Sequence, residues 1–380
     1  MNQDWKIINL GKICDVLDSK RKPITKRDRI PGDYPYYGAT GIVDWVNDYI
    51  FDEQLILLGE DGAKWDSGER SAFNINGKTW VNNHAHVLRP HRDVVKDNWL
   101  VYYLNHQSLL PFITGLTVPK LNQGKMRGIP ILVPPLPEQK RIVTKLDQCF
   151  EAIDKARANV ERNLQNAKEL FQSQLNQIFS QKGEGWVEKK LIDVNKFIDY
   201  RGRTPKKVPD GIRLITAKNV RMGYLKAEPQ EFINPNDYDS WMTRGIPQKN
   251  DVLFTTEAPL ANVALLDTDE KIALAQRIIT FSPNRELLTG EYLHYCLQSK
   301  ELQGKILSKA TGATVSGIKS RLLKEITIFL PRLGIQEQIV NKLDHIKAQT
   351  QSLESNYQQE LDALEELKKS VLQKAFNGEL

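Results

Sequence analysis

The chain has 380 residues, a formal net charge of +6 and an isoelectric point near 8.9, so it can form two hydrophobic cores and can bind an anionic partner. Its cysteines, Cys14, Cys149 and Cys296, form no CxxC pair, which excludes a disulfide framework and a cysteine zinc site. No stretch approaches the roughly 20 apolar residues of a membrane span, and the amino terminus lacks a signal pattern. We therefore expect a cytoplasmic protein.

The first and third segments of the chain have the composition of globular domains. Residues 1–137 and 186–334 contain short apolar runs broken by Gly, Pro, Asn and Asp, which is typical of α/β or β-rich domains. Each segment closes with an apolar run and a proline, which predicts a strand that leads into a helix. Residues 181–185, with two glycines, predict the break between the halves.

Long helices are predicted for residues 138–182 and 335–380, where side chains repeat every seven positions on two rows. In the first helix the rows are Leu146, Ile153, Val160, Ala167 and Cys149, Ala156, Asn163, Leu170. In the second they are Leu343, Thr350, Tyr357, Leu364, Val371 and Ile346, Leu353, Glu360, Leu367. We expect these two seams, each about 60 Å long, to pack against each other in antiparallel orientation.

The two halves of the chain repeat one another. Residues 134–147 read PPLPEQKRIVTKLD and residues 331–344 read PRLGIQEQIVNKLD, which agree at eight of fourteen positions with an offset of 197. The openings at Trp5 and Trp186 match with an offset of 181, so the second globular domain has about 16 extra residues. We predict a tandem duplication with the α+β fold class, in which two globular α/β domains are joined by two long antiparallel coiled-coil helices with pseudo-two-fold symmetry.

Each half also contains a basic segment. Six cationic residues face one acidic residue in 20–29, and nine face two in 196–226. Such clusters either form solvated surface or neutralise phosphates. An internally repeated protein suits a ligand that is itself two-fold or bipartite, and duplex DNA is one such ligand.

Several strings carry a resemblance to a known family. The helix start at 134–147, the ending AFNGEL and the run VNNHAHVLRP from residue 81 belong to this pattern, as do RGRTPKK, ITAKNVRMGYL and TTEAPLANVAL in the second domain. Over nearly its whole length the chain resembles the specificity (S) subunit of type I restriction-modification systems. One departure is Ile335-Gln336, which stands where the family has Glu-Gln, while Glu337-Gln338 lies two residues later. This departure suggests a small local difference in register.

The resemblance implies a function in DNA recognition. Each globular domain would be a target-recognition domain for one part of a split, double-stranded DNA sequence, and the helical spacers would set the gap between the parts. Two methyltransferase subunits, which bind S-adenosylmethionine, would dock on this chain. Restriction subunits would add translocation and cleavage with ATP and Mg. The chain itself would hold no cofactor and no metal.

Catalytic motifs are weak in this sequence, in keeping with a non-catalytic subunit. The string nearest to an adenine methyltransferase motif, residues 234–237, is typical of a turn. Asp269 and Lys271 resemble the end of a nuclease motif but have no partner acid at a suitable spacing. His84 and His86 could share one face of a strand, yet no further ligand stands at metal-binding spacing, which favours structural or hydrogen-bonding roles.

Cationic side chains are the candidates for phosphate contacts, and amide, imidazole, phenol, carboxylate and guanidinium groups are the candidates for base edges. In the first domain we predict phosphate contacts from Lys20, Arg21, Lys22 and Lys64, and base or groove contacts from Tyr36, Tyr37, Asn82, Asn83 and His84. In the second domain the phosphate candidates are Arg201, Arg203, Lys206 and Lys207. The base-reading candidates there are Asn219, Arg221, Thr256, Glu257, Gln276 and Arg277.

Two alternative functions belong to different classes. The chain could be a non-DNA coiled-coil adaptor that binds proteins through its two lobes, a reading that salt-sensitive DNA binding would exclude. It could also be the detached recognition part of a single-chain restriction enzyme, whose catalytic motifs would then lie upstream in the same reading frame.

Overall fold

The computed structural model describes residues 4–115, 117–201, 204–312 and 316–380. By its internal contacts the chain divides into two compact units. Unit 1 comprises residues 1–161 and 358–380, and unit 2 comprises residues 162–357. Among the described residues, no helix combines the length and the apolar character that crossing a membrane requires.

The globular part of unit 1 is built around a central antiparallel sheet. The strands of this globular part are β1 (Lys6–Asn9), β2 (Cys14–Val16), β3 (Tyr34–Gly38), β4 (Gly41–Val46), β5 (Phe51–Asp52), β6 (Leu55–Gly59), β7 (Ala72–Ile75), β8 (Lys78–Val81), β9 (Ala85–Pro90) and β10 (Pro130–Val133). Its helices are α1 (Leu10–Ile13), α2 (Asp97–His106) and α3 (Gln123–Arg127). The central sheet has the order β2-β9-β6-β7, a second has the order β4-β3-β8-β5, and β1 pairs with β10. The apolar strand β6 is buried throughout because it has a neighbour on either side.

The long helix α4 (Leu136–Ser180) follows, and the globular part of unit 2 comes after it. The strands there are β11 (Val187–Lys190), β12 (Asn195–Asp199), β13 (Lys207–Val208), β14 (Ile212–Ile215), β15 (Val220–Arg221), β16 (Tyr224–Leu225), β17 (Phe232–Ile233), β18 (Val252–Thr255), β19 (Val263–Leu265), β20 (Ile272–Leu274), β21 (Ile278–Pro283) and β22 (Thr327–Leu330). The helices are α5 (Leu191–Val194), α6 (Tyr238–Trp241), α7 (Gly290–Gln298), α8 (Lys300–Ser308), α9 (Ser320–Lys324) and the final long helix α10 (Leu333–Asn377).

The predicted duplication is confirmed by the central sheets and by three strands of each second sheet. The central antiparallel sheet β12-β21-β18-β19 and the pair β11-β22 match β2-β9-β6-β7 and β1-β10. In the further sheet β13-β17-β14-β20, the strands β17-β14-β20 match β4-β3-β8, whereas the fourth strand differs, because β13 pairs with β17 and β5 pairs with β8. In both copies the second sheet contains one parallel pair, β3 with β8 and β14 with β20. The copies differ most between β14 and β17, where the hairpin β15-β16 lies, whereas β3 and β4 are joined by a tight turn. Most of the predicted extra residues therefore lie in this insertion.

Gln139 and Gln336 begin the two long helices in the same way. Gln139 accepts a hydrogen bond from the backbone N–H of Lys96 at 2.8 Å, and its Nε2 donates to the carbonyl oxygens of Val94 and Pro134. Gln336 accepts from the N–H of Thr289 at 3.0 Å, and it also donates to two backbone carbonyls. Both side chains are fully buried. The suggested register difference is therefore wrong, because Gln336 is the structural counterpart of Gln139.

Within each unit a segment of α4 packs antiparallel to a segment of α10. In unit 1, Arg141 near the start of α4 donates to the terminal residue Leu380, and Arg157 pairs with Glu365. Each helix has 45 residues and is about 67 Å long.

Of the two predicted rows of each helix, one is more buried than the other. The row that contains Leu146, Ile153, Val160 and Ala167 is buried, and in α10 Leu343 and Thr350 are buried on the corresponding row. On the second row, Leu170, Leu353 and Leu367 remain 42%, 38% and 48% exposed. The seam is thus narrower than the sequence suggested, and it leaves apolar side chains on the surface of both units.

Candidate functional site

In both domains, two loops converge at one end of the central sheet. In the first domain, Glu60 and Asp61 follow β6, and His84 precedes its neighbour β9. The backbone N–H of Glu60 donates to the carbonyl of His84 at 2.8 Å, and the Glu60 carbonyl accepts from Leu121 at 2.8 Å. The ends of adjacent antiparallel strands therefore hold the side chains of Asp61 and His84 together.

Asp61 and His84 form an acid–base pair at the surface, which we call the first-copy pair. Oδ1 of Asp61 lies 2.5 Å from Nδ1 of His84, and the two side chains are 21% and 51% exposed. Nζ of Lys120 lies 4.0 Å from Asp61. The pair combines a hydrogen-bond acceptor and a ring nitrogen that can face a ligand.

Glu257 and Arg277 occupy the same place in the second domain and form the second-copy pair. The loops converge there through equivalent bonds, since the N–H of Thr256 donates to the Arg277 carbonyl at 3.0 Å and its carbonyl accepts from Ile318 at 3.0 Å. Nε of Arg277 lies 2.9 Å from Oε1 of Glu257, with half-exposed side chains. The copies share these backbone hydrogen bonds, while the side chains of the two pairs differ.

A third loop reaches each pair. Residues 114 and 120 are bridged in the first domain, and residues 311 and 317 are bridged in the second, at the offset of 197. Lys120 also bridges to Asp61, and Gly317 bridges to Glu257. The matching glycines Gly115 and Gly312 have φ values of +96° and +126°, a region that other residues rarely adopt.

The second-copy pair lines a polar depression of about 300 Å³. Its walls include the predicted residues Arg201, Thr256, Glu257, Gln276 and Arg277, together with Thr311, Gly317, Ile318 and Lys319. A neighbouring depression of about 330 Å³ shares Gln276 and Arg277 with it and includes the predicted Lys207. The structure therefore brings together predicted residues that are far apart in the sequence.

Four of the predicted base-reading residues are buried in the described structure. Tyr36 is 1% exposed and Asn219 1%, while Asn82 and Thr256 are 6% and 3% exposed. Asn82 caps the loop by accepting from the N–H of His84, and Asn219 binds the backbone of its own turn. The hydroxyl of Tyr36 accepts from the N–H of Ile24, and the hydroxyl of Thr256 donates to the carbonyl of Arg277. All four polar groups are thus used inside the fold, although Thr256 also reaches the wall of the depression.

The remaining predicted residues are exposed or partly exposed, apart from Arg203, which lies outside the described residues. Lys20, Lys22, Lys64, Asn83, His84, Lys206, Lys207 and Arg277 are exposed, and Tyr37, Arg201, Arg221, Glu257 and Gln276 are intermediate. Several are in ion pairs: Arg201 with Asp199 at 2.6 Å and Lys207 with Glu231 at 2.7 Å. Asn219 and Arg221 lie in the insertion that is specific to the second copy.

Arg21 belongs to a mostly buried ionic network rather than to the open surface. Its guanidinium binds the carboxylate of Glu60, and the carboxylate of Asp18 lies 2.6 Å from Nδ1 of His86. Burial raises the pKa of Asp18, but the hydrogen bond and charge of His86 outweigh it and lower the pKa below its usual value. Burial likewise raises the pKa of Glu60, and the hydrogen bonds from Arg21 and Lys120 lower it.

This ionic network also contains three residues that could together bind a metal ion, although the sequence offered no support for a metal site at His86. The carboxylates of Asp18 and Glu60 stand within 4.8 Å of a ring nitrogen of His86, which spacing along the chain did not indicate. Arg21 and Lys120 already neutralise these carboxylates, so we infer no metal ion there. Reasoning from the sequence also missed Asp61, Lys120 and Lys319, although the repeat of Gly115 at Gly312 marked the loops that carry two of them.

Comparisons with known proteins identify the family. A family model described as "Type I restriction modification DNA specificity domain" matches residues 2–162 and again residues 183–363. The chain belongs to this family of type I restriction-modification specificity proteins. The resemblance drawn from the sequence is confirmed, and no comparison supports a coiled-coil adaptor outside DNA recognition.

Relatives of this type I specificity protein match it along nearly its whole length. A type I restriction enzyme specificity subunit of Haemophilus influenzae is 26% identical and covers 92% of this chain and 89% of its own. The MjaVIII specificity subunit of Methanocaldococcus jannaschii is 22% identical over 100% of this chain and 93% of its own.

Solved structures share the fold of the type I specificity protein. A chain from a study of complex assembly and conformational transition of the type I R-M system has a TM-score of 0.75 and 18% identity, with 100% of this chain and 99% of that chain covered. The HsdS subunit of Thermoanaerobacter tengcongensis has a TM-score of 0.60 and 18% identity, with 100% and 98% covered. The predicted α+β fold of two tandem globular domains and long helices is confirmed.

Proposed function

We propose that this protein is the DNA-specificity subunit of a type I restriction-modification complex, in which each globular domain reads one half of a bipartite target. The observation that carries this proposal is the shared loop arrangement with a different charged pair in each copy. One backbone framework with two sets of polar groups suits a protein that must recognise two unlike sequences. The family match supports the same function.

The proposed DNA-reading surface of the first domain is the first-copy pair with Asn83 and Lys120. Lys20, Lys22 and Lys64 would contact phosphates beside it, because they are exposed cations. Base reading by such groups rests on hydrogen bonds in the grooves, where carboxylates accept from cytosine and donors bind the acceptor edges of purines. Tyr37 stays a candidate for a groove contact.

In the second domain the proposed surface is the second-copy pair with Gln276, Arg201 and Lys319, which line one depression. Glu257 can accept from a cytosine amine, and the Nη groups of Arg277 can donate to a guanine. The basic residues Lys206, Lys207 and Arg203 would contact the phosphate backbone, and Arg221 would extend the surface from the insertion. Residues buried inside the fold are left out of this surface.

The helices would act as a spacer and as a docking surface. Antiparallel helices of fixed length would set the distance between half-sites, as dimer geometry does in other duplex readers. Leu170 and Leu367, exposed and related by the offset of 197, are suited to binding two copies of one partner. We propose two methyltransferase subunits as these partners, with S-adenosylmethionine bound on them, and restriction subunits that use ATP and Mg.

A map of modified adenines in cells tests the proposal. Cells that express this chain with its cognate methyltransferase should show a split methylation motif, and cells without this chain should lose it. A motif that persists without the chain would contradict the proposal and favour the adaptor reading. Binding of the assembled complex to duplex DNA should weaken steeply with salt, since phosphate contacts release counterions.

A further inference from the structure

We propose that Arg21 is a positioning residue that holds the recognition loop of the first domain, residues 82–85, and does not itself contact DNA. This inference rests on the proposed function, because the loop carries Asn83 and His84. It also replaces the expectation that Arg21 binds a phosphate. The distinction matters because a phosphate contact affects all sequences alike, whereas a loop-positioning residue affects the sequence that the loop reads.

The guanidinium of Arg21 connects three separate segments of the first domain. Nη1 donates to the carbonyl of Ala85 at 2.8 Å and to that of Asn83 at 3.3 Å. It also binds the carboxylate of Glu60 at the end of β6, and Nε donates to the carbonyl of Asp18 at 3.1 Å. The side chain is only 13% exposed, so little of it is available to a ligand.

Further buried contacts stiffen the same region. The carboxylate of Asp18 accepts from the backbone N–H of Val87 at 2.9 Å and lies 2.6 Å from the fully buried His86. Glu60 is also bound by Lys120 at 2.9 Å. Charged hydrogen bonds in a poorly solvated site have defined geometry, and each member constrains its neighbours. Arg21 thus fixes both carbonyls that flank His84 on the loop backbone.

An arginine is required here by geometry rather than by charge alone. Its planar fork presents five donors in fixed directions, and four different acceptors surround it. A lysine has a single ammonium at the end of a flexible stem and cannot reach all four acceptors at once. Arg21→Lys therefore removes the fork while it retains the charge that a phosphate contact would need.

Among the residues that the structure describes, this network is found in the first copy. Thr256 and Ile279 stand in the second domain at the places of Glu60 and His86, as the strand pairings show. Asp199, which corresponds to Asp18, pairs with Arg201 on its own segment. Arg21→Lys should consequently change the discrimination at one half-site only, and the other half-site serves as an internal control.

The test uses the complex of the full chain with its methyltransferase subunits and a pool of duplexes of random sequence. We compare wild type, Arg21→Lys and Lys22→Gln by the sequence preference of methylation at each half-site and by the salt dependence of binding. For Arg21→Lys we expect discrimination at one half-site to fall by about tenfold or more, with the other half-site and the salt slope unchanged. For Lys22→Gln we expect uniform weakening and a salt slope smaller by about 1.

Several results would overturn the proposal. Arg21→Lys with unchanged discrimination at both half-sites would contradict it. Equal loss of discrimination at both half-sites, together with a lowered melting temperature, would also contradict it, because this result indicates a merely structural role. If Arg21→Lys does not fold, Glu60→Gln tests the same contact and should loosen the same half-site. Failure of both variants to fold would also count against the proposal. A wild-type complex without any split motif would instead contradict the proposed function itself.

Discussion

Oε1 of Glu257 lies 2.9 Å from Nε of Arg277, at the place where the first copy sets Asp61 beside His84. The backbone hydrogen bonds that hold the two pairs are equivalent, whereas the side chains of the pairs differ. In each pair one partner accepts hydrogen bonds and the other presents nitrogen atoms. The pairs are therefore the places where the duplicated domains can differ in specificity without a change of fold.

Exchange of the pairs between the copies should change one half-site at a time. Glu257→Asp with Arg277→His should alter the preference at the half-site read by the second domain by about tenfold or more, because base-edge contacts are lost. Histidine tolerates the φ of +74° at position 277 better than most residues. Methylation mapping checks this, and the reciprocal Asp61→Glu with His84→Arg should act on the other half-site. Unchanged motifs in both would refute the assignment.

The two buried glutamines at the helix starts should be equally important for stability. Gln139→Ala and Gln336→Ala each leave one backbone N–H and two carbonyls without their partner, which should cost about 2 to 4 kcal/mol of unfolding free energy. Urea unfolding measures the change. The exposed Gln338→Ala is the matched control and should stay within about 0.5 kcal/mol of wild type. If Gln338→Ala were the damaging variant, the assigned register would be wrong.

His294 should make the stability of unit 2 depend on pH. Burial, together with the positive charge of Lys347, lowers the pKa of His294 from 6.5 to about 4. Between these values the unfolded chain binds a proton that the folded chain does not, so stability falls as the pH is lowered through this window. The loss reaches about 3 kcal/mol near pH 4, at 1.36 kcal/mol for each unit of pKa.

The first copy supplies the control variant for this effect. Val101 occupies the place of His294, since Tyr102 and Tyr295 bond to the matching Asp147 and Asp344. His294→Val should therefore fold. When the pH is lowered from 6.5 to 4, its free energy of unfolding should fall by less than that of the wild type. Urea unfolding at several pH values gives the two slopes. Parallel slopes would contradict the prediction, because they would show that the pKa of His294 is the same in the folded and unfolded chains.

The length of the helices should set the spacer between the half-sites. Insertion of four residues after Val160 and four after Tyr357 lengthens each helix by about 6 Å and nearly preserves the helical face. At about 3.4 Å for each base pair, the unread spacer should grow by about two base pairs while both half-sites stay the same. Methylation mapping of the variant measures the spacer. An unchanged spacer would contradict the role of the helices as a ruler.

The exposed leucines of the helices should support assembly. Leu170→Asp and Leu367→Asp should each weaken binding of methyltransferase subunits by about 1 to 3 kcal/mol, because an apolar contact is replaced by a charge that must be desolvated. Copurification and titration of the subunits check this. Glu360→Gln, on the same row of α10, is the control for a surface change. Wild-type assembly of both leucine variants would place the docking surface elsewhere.

Patterns repeated along the sequence were sufficient to predict the duplication, the α+β fold class, the long helices and the family. Helix periodicity and strand runs are local, and internal repeats can be read without knowledge of contacts. The sequence also marked the basic segments and the pair members His84, Glu257 and Arg277. It could not show that one row of each helix seam stays exposed, because that depends on the side chains opposite.

Only the tertiary structure decided which polar residues are available to a ligand. Tyr36, Asn82, Asn219 and Thr256 have suitable groups but are buried, and Arg21 binds four acceptors that lie on three separate segments. Asp61 and Lys120 reach the site through pairing of strands and loops that are far apart in the chain. The sequence thus determined the framework and the number of recognition domains. Long-range strand pairing determined the residues at their surface, because it sets burial and partners that no local pattern encodes.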